Sequence, residues 1–124
     1  MSLKIDYDGT ITIYQGDTGH IVVNGLDANK NFNVYFAIQD KKRNLIGDEI
    51  VLTSNGLESV DIYLPSSLTD KLIVPQSASV ETYYYGIKVT EIGSTDEDTL
   101  FIAGKDYGEL NLMLVYPKQV EGAK

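Results

Sequence analysis

The chain has 124 residues, 43% of them apolar and 23% charged, which is the composition of a globular chain and the length of one domain spanning 1–124. Its 10 basic and 18 acidic side chains leave a formal charge of −8, so no basic surplus is available to displace counterions from a nucleic-acid backbone or to hold an anionic membrane. Cysteine is absent and histidine occurs once, which excludes disulfides, thiolate zinc sites, cysteine nucleophiles and multi-histidine metal centres.

Residues 1–3 read as a flexible tail, and residues 1–6 lack the apolar core of a signal peptide. The first predicted strand covers 11–15. The corner Gly16-Asp17-Thr18-Gly19 separates it from a second strand over 20–24. After the polar stretch 27–31, Phe32, Val34, Phe36 and Ile38 alternate with Asn33, Tyr35, Ala37 and Gln39. That period of two marks a strand with one face toward a core. A turn over 40–44 follows, then a strand over 49–53. Asn55-Gly56, a strong short-hairpin signal, precedes a strand over 57–64 in which Val60, Ile62 and Leu64 alternate with Asp61 and Tyr63. Pro65 opens a single helical turn over 66–72, with Ser66 or Ser67 as its N-cap, crossing between sheets.

The longest strand holds Tyr83, Tyr85, Ile87 and Val89 on one parity and Tyr84, Gly86, Lys88 and Thr90 on the other. A turn over 93–98 leads to a strand over 99–103, and the polar stretch 104–108 leads to the last strand. There Leu110, Leu112, Leu114 and Tyr116 alternate with Asn111, Met113 and Val115. Residues 118–124 read as a flexible tail or an exit linker, as in a piece of a longer protein. No apolar run reaches the roughly 20 residues of a spanning helix. With nine tyrosines, three phenylalanines and many β-branched residues, the chain is expected to be all-β, an antiparallel sandwich or barrel. The crossover at 65–72 favours a Greek-key sandwich.

Chemistry-bearing motifs are sparse. His20 stands at a strand start, and a catalytic role would need the fold to bring a nucleophile or carboxylate to it. Asp6-Tyr7-Asp8-Gly9 and Asp27-Ala28-Asn29-Lys30-Asn31 resemble fragments of calcium loops but lack the distal glutamate, and both are ordinary turn compositions. Asp96-Glu97-Asp98 reads as a solvated hairpin tip. Gly16-Asp17-Thr18-Gly19 lacks the Lys-Ser/Thr of a phosphate loop, and no nucleophile elbow is present. The expectation is no catalytic residue, no cofactor and no metal. Tyr83 and Tyr85 share the parity of the core. Tyr35, Tyr63 and Tyr84 have outward parity and form the candidate interface; such tyrosines serve packing, a protein interface or a sugar face.

The order Gly16-Asp17-Thr18, then Phe36-Ala37-Ile38-Gln39-Asp40, then Tyr84-Tyr85-Gly86-Ile87-Lys88-Val89 resembles the N-terminal immunoglobulin-like domain of phage baseplate upper proteins and related tail and head-fibre domains. The resemblance implies an antiparallel immunoglobulin-like Greek-key β-sandwich without catalytic residues. It also implies a virion structural role: attaching a receptor-binding or fibre component to the tail or capsid, with other virion proteins as partners and as part of a homo-oligomer. The protein would be made in the host cytoplasm and located in the virion. Gly16, Asp17 and Thr18 transfer as a structural turn. The competing reading is a carbohydrate-binding or adhesin module of a bacterial surface protein, favoured by the tyrosines and the Asp/Asn turns.

Overall fold

The computed structural model describes residues 3–99 and 111–120. Among these described residues, nine strands and one short helix follow in chain order: β1 (Lys4–Ile5), β2 (Ile11–Tyr14), β3 (Gly19–Val23), β4 (Phe32–Gln39), β5 (Leu45–Thr53), β6 (Val60–Leu64), α1 (Ser66–Thr69), β7 (Glu81–Glu91), β8 (Glu97–Thr99) and β9 (Asn111–Tyr116). The fold is all-β. A large sheet runs β1-β2-β9-β7-β4-β5, with β8 paired to β7 beyond β9, and β3 and β6 form a separate two-stranded sheet. One pairing departs from the antiparallel expectation: β2 lies parallel to β9, Ile13 opposite Val115. A parallel pair needs a long connection, and strands from the two ends of the chain provide one.

Alternation explains which faces meet. Val34, Phe36 and Ile38 of β4, Ile62 and Leu64 of β6, and Ile11 and Ile13 of β2 are almost wholly buried. With Ile21, Val23, Ile87, Met113, Val115 and Leu72 they form one core fed by both sheets. Each such side chain contributes about 1.5–3 kcal/mol on burial. Tyr83 and Tyr85 join this core, as their parity requires. Each keeps its hydroxyl paired: Tyr83 donates to the Ile73 carbonyl at 2.6 Å, and Tyr85 donates to that of Gly9. The Phe36 and Tyr85 rings pack at 5.8 Å.

The structure corrects several sequence expectations. Leu3 is not a loose tail: it is buried in the core and lies where a side chain on Gly19 would stand. Lys118 is likewise engaged, its Nζ 2.8 Å from Asp70 Oδ1. Asn55 and Gly56 adopt positive φ, and Leu57 N–H donates to Ser54 O, but this tight turn carries the chain from β5 in the large sheet to β6 in the small one. It closes no hairpin, because a turn's geometry does not choose the sheet its exit strand joins. Pro65, extended at φ −76°, takes the N-cap position of α1, and neither Ser66 nor Ser67 caps it; the Pro65 carbonyl accepts from Leu68 and Thr69. Glu97 and Asp98 lie within β8 rather than at a tip, since Ser94 N–H already closes a turn on Glu91 O and lets Glu97 pair with Thr90. Most of the strand expected over 99–103 lies outside the described residues.

Candidate functional site

The turn at Gly16 is where β2 leaves the large sheet for β3 in the small one. Gly16 has φ +85°, and a Cβ there would stand 2.7 Å from Lys118 Cε and 2.8 Å from Asp70 Oδ1. Neighbouring groups tie the corner down. Gln15 N–H donates to Tyr116 O at 2.8 Å, and the Gln15 side chain donates to Asp70 O at 2.9 Å. Thr69 Oγ1 donates to Asp17 O at 2.8 Å. Gly16 and Asp17 thus hold the corner through their main chain, with the loop after β6 as its buttress, and Thr18 continues it into β3.

The three outward tyrosines do not form one patch. Tyr63 lies on β6, its ring 5.0 Å from that of His20 on β3, on the outer side of the small sheet. His20 Nδ1 sits 2.9 Å from Asp61 Oδ2. The fold therefore does bring a carboxylate to the histidine, but both side chains are well exposed on an open strand pair. Neither lines one of the grooves described below. Such an exposed pair contributes little to stability, within about 1 kcal/mol.

Tyr35 and Tyr84 do come together, on the outer face of the large sheet. They flank a groove of about 710 Å³ whose floor is the cross-strand pair Ala37 and Gly86. Gln39 and Arg43 line one end, Lys88 and Thr90 the other, and Glu49 the side toward β5. Arg43 belongs to the β4–β5 turn and has φ +70°, the left-handed region where glycine is usual. Its Nε donates to Gln39 Oε1 at 2.9 Å, folding the side chain back over β4. Asp40 organises this turn: its Oδ1 accepts from the amides of Lys42 at 2.8 Å and Asn44 at 3.0 Å. The Asn44 amide, with help from Lys42, holds the Asp40 carboxyl below its ordinary value against the opposing effect of desolvation.

Parity alone pointed to Tyr35 and Tyr84. Arg43, Gln39, Glu49 and Gly86 were missed, because their convergence depends on a turn conformation and on strand pairing. A second, smaller groove of about 290 Å³ lies by Lys30 and Glu91, whose side chains pair at 3.1 Å.

A further area of the same face lies on β2 and β9. Tyr14 and Tyr116 are register partners with rings 6.0 Å apart, and Leu114 stands beside them opposite Thr12. The outward side chains of these two strands, Thr12, Tyr14, Leu112, Leu114 and Tyr116, include no charge.

The calcium-like stretches are turns held by their own carboxylates. Asp8 Oδ1 accepts from Thr10 N–H and Asp27 Oδ1 from Asn29 N–H. Among the described residues no group of three or more His, Cys, Asp or Glu side chains is placed to hold a metal, and no helix is long and apolar enough to cross a membrane. No family model matches this chain, and no curated protein matches it either.

Proposed function

We propose that the chain is a non-enzymatic virion attachment module. In this reading it is an immunoglobulin-like Greek-key sandwich of a phage tail, baseplate or head fibre, joining a receptor-binding or fibre component to neighbouring virion proteins within a homo-oligomer. The motif order from Gly16 to Val89 supports the phage context. The observation that carries the attachment role is the outer face of β2 and β9. A sheet face turned to solvent is ordinarily polar, whereas exposed Tyr14 and half-buried Tyr116, Leu112 and Leu114 make this one aromatic and aliphatic, without charge. Depletion of charge and enrichment in tyrosine are the marks of an interface centre.

Immunogold electron microscopy tests the reading. An antibody to the chain is applied to particles released from an induced culture of the source organism. Gold on a tail tip, collar or capsid supports it. Bare particles with gold on the cell wall overturn it and favour the adhesin. Replacing Tyr14 and Tyr116 together with serine should abolish assembly into particles while leaving the chain folded, because both rings face outward.

A further inference from the structure

Gly86 sits in the interior of β7, an eleven-residue strand at the centre of the large sheet. Glycine there weakens a strand, since it adds backbone entropy to the unfolded chain and offers no side chain to pack. Two local reasons commonly compensate, and neither applies. Gly86 is not in the positive-φ region, and a Cβ built on it meets nothing within 4 Å. No part of its surroundings needs the side chain to be missing. What the glycine does is keep the floor of the Tyr35–Tyr84 groove open.

Two further irregularities converge on the same place. Opposite Ala37, which pairs with Gly86, the β4–β5 register slips: Phe36 faces Ile50 but Ile38 faces Ile46. One β4 residue thus spans three on β5, namely Gly47, Asp48 and Glu49. The bulge is fixed from behind, for Gly47 has φ +67° and the Leu68 side chain of α1 occupies the space where its Cβ would be. A bulge of this kind re-aims side chains, and here Glu49 is turned to the groove. The third irregularity is Arg43, held in the left-handed region at a cost that glycine would avoid. Three departures from regular sheet structure, on three elements, meet at one concavity.

We infer that this groove is a saccharide-binding site. The chemistry of its lining selects the ligand class. Tyr35 and Tyr84 offer ring faces whose negative potential attracts the C–H faces of a pyranose. Gln39, Arg43 and Glu49 are planar forked groups, donors and acceptors together, that match pairs of adjacent hydroxyls. Arg43 and Lys88, the cross-strand partner of Tyr35, face the carboxylate of Glu49 in a lining of mixed sign, which suits a hydroxyl-rich ligand bound through several polar groups. The volume lies within the range of about 300–1,000 Å³ for small-molecule sites. The site adjoins the attachment surface, since Leu112 of β9 is the register partner of Tyr84, but its lining includes neither Tyr14 nor Tyr116, so each is tested by its own variants.

The test is a carbohydrate array of hexose, N-acetylhexosamine, deoxyhexose and uronate oligomers probed with the full chain. Amide-shift titration with the best-bound oligomer follows. The expected result is saturable binding that moves the amides of Ala37, Tyr84 and Gly86. Gly86→Leu, which points into open space, should retain the fold and weaken binding by about tenfold or more. Arg43→Gly should bind more weakly while melting no lower than the parent. The Tyr14/Tyr116 double serine variant should bind the sugar normally. Absence of binding across the array overturns the inference, and so does unchanged binding in folded Gly86→Leu. Either result leaves the attachment reading standing, since that is decided by the gold label.

Discussion

The phenol of Tyr85 donates a hydrogen bond to the main-chain carbonyl of Gly9, 76 residues earlier in the chain, at 2.5 Å. It fastens the central strand of the large sheet to the turn between β1 and β2. Tyr83, two residues away, does the same for the loop after α1 through Ile73. Paired tyrosines on one strand thus anchor two segments from different parts of the chain.

Removing the first anchor leaves a buried carbonyl without its donor. Tyr85→Phe should therefore cost about 1–3 kcal/mol in urea unfolding. Burial, and after it the charge of Asp8, pushes the Tyr85 phenol up to about 12 from 10.0. The folded state holds this proton more tightly than the unfolded state. The contribution is complete below pH 10 and is lost as pH rises through about 12. Stability measured from pH 9 upward, by the ordinary tyrosine range, should fall less steeply in Tyr85→Phe than in the parent. Parallel pH profiles would show that the phenol is not what titrates.

Gly16 has no room for a side chain and sits at φ +85°. Gly16→Ala should cost about 1–3 kcal/mol, from backbone strain and from contact with Lys118 and Asp70. Lys118→Ala removes one of the clashing groups. The double variant should thus be more stable than the sum of the two single losses, as read from a thermal double-mutant cycle. Strict additivity would refute the steric part of the account.

Leu3 packs over Gly19, whereas Lys4 beside it is exposed. Leu3→Ala should lower stability by about 2–3 kcal/mol, the lower part of the range for a core leucine, while Lys4→Ala should be nearly neutral. Chemical denaturation of the two variants separates a packed amino-terminal segment from a loose one.

Asp40 is a solvent-exposed cap whose carboxylate is favoured first by the Asn44 amide. Its folded-state value lies below the ordinary 3.8. The cap's contribution is therefore present above that ordinary value and is lost as pH falls through the lower one. Asp40→Asn should melt below the parent at neutral pH, and the difference should shrink toward zero in acid. A difference that persists unchanged in acid would mean the carboxylate charge plays no part in the turn.

The residues of β4, β6 and β7 announced themselves because apolar and polar side chains alternate there. Burying one parity is the only arrangement that removes the apolar set from water. The same rule failed on β9, where Leu112 and Leu114 compete with Met113 and Val115. Both parities are apolar, so periodicity is silent, and it is the parallel pairing with Ile11 and Ile13 of β2 that buries Met113 and Val115. Leu3 was misread for a related reason: it stands alone before the two-residue strand β1, and so short a segment shows no period.

What the sequence by itself determined is local: an all-β chain, its turns, and the inward parity of Tyr83 and Tyr85, because side-chain alternation and turn chemistry act over a few residues. What only the tertiary structure decided is which strands share a sheet. Parity says that Tyr35, Tyr63 and Tyr84 point outward, but Tyr63 leaves with β6 into the small sheet, while Tyr35 and Tyr84 meet over Ala37 and Gly86. That choice is made by pairing between strands distant in sequence and by a bulge braced by α1. Both are energies of contact between segments, which no single segment encodes alone.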